Sequence, residues 1–389
     1  MNILLVTPSA DDTAPLGASV AALAKTLRSL DHEVTIVSPL YSTIDPTARS
    51  LARRLSKLPV NHAGDDQGVT IYDARSSEGV QQVFLGHEAF LAPFDREMAA
   101  KRSGDDASKL FAMAVVALME KVEASFHAVH AFDWVGAEAL IALRESAGPD
   151  SPFAEVRTLL TLGELEPITV IKAAAPYADH ITTWNTGDEA ALRDTLGTAG
   201  EPLQSKLSDV LRTVSLGVDA GVWNPVTDPL LESRFDPLDR TNKKTCRAFL
   251  ERRLELTDKG DEAFVVAFFG RGQEAGFQKL LSVLGDALRN PLRITLGLQG
   301  GLAWDGDPEA LRDEYPRQLR IVSGIGTEDV HALLGAADLC LLSETDATGV
   351  PTTVPMPMVA QRYGALPIAP ATKWNRDTIV DCDETLTTG

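Results

Sequence analysis

The amino-acid sequence predicts an α/β protein built from two Rossmann-like, doubly wound domains facing a cleft. Three observations carry that expectation. Short apolar runs alternate with helical stripes along most of the 389 residues, the pattern of parallel strands joined by covering helices. The alternation breaks once, at 224–262, where prolines, charges and other polar residues gather. The length is that of two ordinary domains, each able to bury its own core.

The first strand is expected at residues 3–6, Ile-Leu-Leu-Val. Val20, Leu23, Leu27 and Leu30 follow at helical spacing, and a second strand is expected at 34–37, so the chain opens on a βαβ unit. Further strands are expected at 83–85, 128–130, 157–162 and 181–183, with helices over 110–122, from Gly136 and around Ile171. The segment 224–262, with Asp228-Pro229, Asp236-Pro237 and Thr241-Asn242-Lys243-Lys244, reads as an interdomain linker between domains at 1–223 and 263–389. Strands are expected in the second domain at 264–269, 293–296, 319–322, 338–342 and 366–368.

Composition narrows the function. Fifty-five acidic against thirty-six basic residues give a net charge of -19, and no Lys/Arg run concentrates positive potential, so neither nucleic acid nor an anionic membrane is an expected partner. The first apolar run is too short and lacks the basic flank of a signal peptide, and no apolar stretch approaches the ~20 residues needed to cross a bilayer. Cys246, Cys340 and Cys382 are far apart and lack metal-ligand spacing; they read as packing residues of a cytoplasmic protein, with no metal and no cofactor expected.

In such folds ligands bind at the carboxyl ends of the strands. Four segments fall there. Residues 8–17, ending at Gly17, read either as a plain loop or as a cradle of N–H groups for an anion. In His130-Ala131-Phe132-Asp133-Trp134, Asp133 and Trp134 read either as ligand-binding residues or as a helix N-cap with a packing indole. Phe269-Gly270-Arg271-Gly272-Gln273 places a flexible backbone and one guanidinium where a diphosphate would dock, or a solvated arginine at the surface. Ser343-Glu344-Thr345-Asp346, followed by Thr348-Gly349, offers carboxylates for sugar hydroxyls or a cationic transition state, or is an acidic loop.

Taken together the chain resembles the bacterial glycogen synthases and plant starch synthases, retaining glucosyltransferases of the GT-B architecture. The most specific match is the run Leu216-Gly217-Val218-Asp219-Ala220-Gly221-Val222-Trp223-Asn224-Pro225-Val226-Thr227-Asp228-Pro229, similar to the family's N-G-I-D-x-x-x-W-N-P-x-T-D-P. The segments at 31–41, 130–134, 177–183, 335–338 and 362–367 also resemble it. The resemblance implies transfer of glucose from ADP-glucose or UDP-glucose to an α-1,4-glucan. It assigns Gly17, Asp133, Trp134, Gly270, Arg271 and Gly349 to the donor and Asp346 to the glucose, with Asp105, in Asp105-Asp106-Ala107-Ser108-Lys109-Leu110, beside the glucose or capping a helix.

The chain departs from that pattern at the chemistry. The first loop lacks the family's lysine and double glycine, Val135 replaces a histidine that contacts the donor sugar, and Gly163-Glu164-Leu165-Glu166 stands where the family has T-[IV]-H-N. Arg271 remains without its companion lysine, and Thr372-Lys373-Trp374-Asn375 replaces a T-G-G loop. The second domain looks truncated relative to the family. These losses leave two expectations: an impaired or altered glucosyltransferase, or an inactive pseudoenzyme that binds a glucan, a metabolite or a protein partner.

Overall fold

The computed structural model describes residues 1–10, 15–94, 106–122, 125–147, 153–197, 209–236, 238–256, 262–270, 273–300, 302–304, 307–343, 355–383 and 385. The chain divides into two compact units, Met1–Ser215 and Leu216–Gly389.

The first unit contains β1 (Asn2–Val6), α1 (Pro15–Ser29), β2 (Glu33–Pro39), β3 (Ala52–Arg53), β4 (Leu58–His62), β5 (Asp65–Arg75), β6 (Gln81–Gly86), α2 (Asp106–Lys121) and β7 (Ala128–Phe132). It continues with α3 (Asp133–Ser146), β8 (Arg157–Leu162), α4 (Ile168–Ala174), β9 (His180–Thr183), α5 (Thr186–Gly197) and β10 (Leu211–Thr213). The strand order is β10-β9-β8-β7-β1-β2-β6-β5-β3, with β4 paired to β5. Leu4 and Val6 of β1 belong to one apolar cluster, Ile3 and Leu5 to another. Because both faces of the strand are covered, the sequence there is a continuous apolar run rather than an alternation.

The sheet is parallel from β10 to β6, while β5 runs antiparallel to β6, β3 and β4. This edge was not expected from the sequence. Its turn uses positive φ at both Ala63 (54°) and Gly64 (89°), the two-residue geometry whose twist matches a hairpin. Alanine gives no advance sign of it. Gly136 lets α3 cross β7 closely, since a Cβ there would lie 2.8 Å from the Ala131 carbonyl carbon.

The second unit contains α6 (Lys243–Arg253), β11 (Ala263–Phe269), α7 (Glu274–Ala287), β12 (Leu292–Leu298), α8 (Pro308–Glu314), β13 (Leu319–Ser323), α9 (Thr327–Ala336), β14 (Leu339–Leu341), α10 (Met356–Arg362), β15 (Leu366–Ile368) and α11 (Lys373–Thr378). Its parallel sheet has the order β13-β12-β11-β14-β15. Alternate residues of β11 again divide between two clusters, Phe264, Val266 and Phe268 on one face, Val265, Ala267 and Phe269 on the other.

The expected linker at 224–262 lies inside this second unit. Leu231, Phe235, Cys246, Leu250 and Leu256 join the same apolar cluster as Trp223 and Leu334. Its polar residues close turns: Asp228 accepts from the Leu230 N–H at 2.9 Å and Asp236 from the Leu238 N–H at 2.8 Å. Side-chain acceptors of this kind give a packed segment a linker-like composition.

The Trp-Asn-Pro run closes on the rest of the unit. The Trp223 ring stacks on His331 at 4.0 Å, Asp228 accepts from the Tyr363 hydroxyl at 2.5 Å and meets His331 Nδ1 at 2.7 Å, and Arg362 donates to the Trp223 carbonyl at 3.0 Å. Burial would raise the Asp228 carboxyl, but the hydrogen bonds from His331 and Tyr363 outweigh it and hold it below its usual range. The three cysteines are free, and Cys246 and Cys340 are packing residues as expected; Cys382 is exposed, and therefore is not one.

Candidate functional site

Each sheet has one place where its strand order reverses. In the first unit it lies between β1 and β7, in the second between β11 and β14. Both pairs are parallel, so their carboxyl ends open on the same side of each sheet, the position where open α/β sheets bind ligands.

At the first reversal, Gly17 is buried in the first turn of α1 rather than in the loop before it. Asp133 sits directly beyond β7 with φ of 52°, a left-handed conformation that aspartate tolerates better than most side chains. Its Oδ1 accepts from the backbone N–H groups of Gly163 at 2.7 Å and Glu164 at 3.2 Å. The N-cap of α3 is Phe132 and carries no side-chain cap bond, so the expected Asp133 cap is replaced by a tie to the loop after β8. Trp134 is buried, edge-on to Phe94 at 6.4 Å, among the aromatic side chains of the core. Val135 is buried beside it.

Behind Asp133 runs a half-buried polar row that the sequence did not single out for its chemistry. His130 Nε2 lies 2.7 Å from Thr161 Oγ1, and Thr161 Oγ1 lies 2.6 Å from Thr182 Oγ1. The imidazole stacks on Phe132 at 4.1 Å, and burial pushes its pKa down to about 3. It is therefore neutral at pH 7 and links β7 to β8 and β9. The loop that follows β8 exposes Glu164 and Glu166, the latter accepting from the Ile168 N–H at 3.1 Å.

At the second reversal, the turn after β11 is fastened by Gln273. Its Oε1 accepts from the Gly270 N–H at 2.9 Å, and its Nε2 donates to Ser343 Oγ at 3.1 Å. Gln273 and Ser343 are both buried. One amide thus joins the glycine turn to the end of β14. The expected site residues Asp105, Arg271, Asp346 and Gly349 lie outside the described residues, but Gly270 immediately precedes Arg271, and Ser343 opens the segment that contains Asp346 and Gly349. Gln273 is the residue that sequence reasoning quoted without a role; only the contact across to Ser343 reveals it.

Beyond β15, Thr372 caps the short α11 by accepting from the Asn375 N–H at 3.2 Å. A capped helix with a buried Asn375 therefore occupies the place where the resemblance expects a glycine loop.

Two parallel α/β units with openings at their strand-order reversals define a glycosyltransferase fold of the GT-B type. The catalytic domain of starch synthase IV from Arabidopsis thaliana, solved bound to ADP and acarbose, superposes with a TM-score of 0.74 at 19% identity, covering 98% of this chain and 85% of that one. TarM superposes at 0.53 with 8% identity, covering 98% and 87%. Residues 2–167 match the family described as the starch synthase catalytic domain. The glycogen synthase of Anaeromyxobacter sp. (strain Fw109-5) is 27% identical over 98% of this chain and 86% of its own length. Soluble starch synthase 1 of Solanum tuberosum is 23% identical over 98% of this chain and 67% of its own length. Over most of its length the chain is similar to bacterial glycogen synthases and to a plant starch synthase, and its fold is that of GT-B glycosyltransferases. No described helix is long and apolar enough to cross a membrane.

Proposed function

We propose that the protein transfers glucose from a nucleoside-diphosphate glucose, ADP-glucose or UDP-glucose, to an α-glucan in the cytoplasm, with activity altered from that of its relatives. The reading assigns the donor to the unit 216–389 and the acceptor side to 1–215. The observation that carries it is the Gln273 amide, which fastens the Gly270 turn to Ser343 at the reversal between β11 and β14. The two segments that bear Arg271 and Asp346 start from these fixed ends.

In this reading the C1–O bond to the diphosphate breaks as the glucan hydroxyl bonds to C1, and the hydroxyl proton leaves with the diphosphate. Arg271 neutralises charge growing on the phosphate, and Gly270 and Gly349 let backbone amides come close to it. Asp346 and Asp105 hold glucose hydroxyls and face the positive charge at C1. Gly17, Asp133 and Trp134 shape the facing side, Asp133 by holding the loop at Gly163 and Glu164. Losing one such phosphate contact typically costs about 100-fold in rate.

A second reading is favoured by two observations. Val135 is buried where the resemblance expects a sugar-contacting histidine, and Glu164 is exposed at the end of β8. An exposed acidic loop without that histidine suits a pseudoenzyme that holds a glucan or protein partner rather than a diphosphate. Calorimetric titration with both donors, paired with glucose incorporation into glycogen, separates the readings. Turnover that falls about 100-fold in Arg271→Ala supports the transferase; neither binding nor turnover with either donor supports the scaffold.

A further inference from the structure

The first unit holds a cavity of about 380 Å³ at the opposite end of its sheet from the candidate site, within the range of roughly 300–1,000 Å³ typical of small-molecule pockets. Thr35 and Gln81 stand in register at the amino ends of β2 and β6, and Val83 is opposite Asp73. With Ile71 these side chains form the floor, and Leu118, Val122 and Phe126 close the side at the end of α2. Arg54, Ser56 and Lys121 stand at the rim.

The charges around this cavity run against the charge of the whole chain. Among the described residues Asp73 is the single carboxylate lining it, and it is already engaged: Arg54 donates to it through Nε at 2.9 Å and Nη2 at 2.6 Å, and Gln81 Nε2 donates at 3.3 Å. Arg54 Nη1 makes no hydrogen bond among the described residues, and Lys121 Nζ meets only Ser56 Oγ, at 3.2 Å. Among the described lining residues, two cations and one carboxylate leave a single positive charge at the mouth of a mostly apolar cavity. A dianion would face Asp73 with charge to spare, and a neutral molecule would leave Lys121 without a counter-ion.

We propose that this cavity binds a small apolar monocarboxylate, its hydrocarbon or aromatic body against Ile71, Val83, Leu118 and Phe126 and its carboxylate between Lys121 and Arg54. The site is separate from the strand carboxyl ends, so it stands or falls independently of the transferase reading.

Octanoate is a suitable probe, with octan-1-ol as its uncharged counterpart and inorganic phosphate as an anion without an apolar body. Calorimetry on the full chain is expected to give saturable octanoate binding below about 10 mM, with octan-1-ol weaker and phosphate silent. Lys121→Glu, at an exposed position, should weaken octanoate about tenfold or more while leaving octan-1-ol unchanged, since it reverses the charge that selects the anion. Val122→Glu, which places a carboxylate against the apolar wall, should weaken both. Circular dichroism of each variant checks that it folds. Absence of saturation by octanoate, equal affinity for the acid and the alcohol, or octanoate binding untouched by both substitutions overturns the proposal.

Discussion

His130 shows how much one half-buried side chain can set. Half-buried between β1 and β8, stacked on Phe132 and bonded to Thr161, it is held neutral by desolvation with a pKa of about 3, below the ordinary value of 6.5. Between those two values the unfolded chain binds a proton that the folded chain refuses. Stability contributed by His130 is therefore fully present above about pH 6.5 and is lost as pH falls toward 3, at most about 1.4 kcal/mol per pH unit. His130→Gln keeps a side chain able to bond Thr161 and removes the titration. Chemical denaturation from pH 6.5 down to 4 should show a shallower loss of stability in the variant, by close to one proton. Identical slopes would show that the imidazole is not excluded from protonation in the native state.

The turn after β11 depends on Gln273 in the same way. Gln273→Ala leaves the buried Gly270 N–H and the Ser343 hydroxyl without this partner, and is expected to destabilise the second unit by about 1–3 kcal/mol. Gln273→Glu can still accept from Gly270 and Ser343 but brings a negative charge two residues along the chain from Arg271. It should lower affinity for a sugar nucleotide more than it lowers stability, a split that calorimetry and denaturation read separately; equal losses in both would reduce Gln273 to packing. The strands and helices that position these residues were legible in the sequence because buried parallel strands are continuous apolar runs and their helices repeat at 3.6. Gln273 was not, since its partner Ser343 is seventy residues away. The hairpin of β4 and β5 was also hidden, its turn made by an alanine at positive φ and its strands polar on their outer face. The tie made by Asp133 was not legible either, because its partners, the Gly163 and Glu164 amides, belong to a neighbouring strand's loop.

At the scale of the molecule, each unit closes its own core: Leu4, Phe111 and Leu140 are among the buried side chains of the first, Phe264, Leu334 and Tyr363 of the second. Tyr363→Phe removes the hydroxyl that donates to the buried Asp228 carboxylate and should cost about 2 kcal/mol. Hydrogen exchange is expected to report the loss across 216–389 and leave protection within 1–215 unchanged; an equal loss in both would show that they unfold as one. The expected linker failed at this scale, since prolines and aspartates were read as a boundary when they mark turns packed within the second unit.

The Trp223, Asp228, His331 and Tyr363 cluster carries one more consequence. The string by which kinship is most easily recognised is a structural staple, held by packing and buried hydrogen bonds, so a lineage can shed its chemistry and keep its badge. Ancestry inferred from those letters guarantees a scaffold; whether sugar still moves across it must be asked of Arg271 and Asp346 instead.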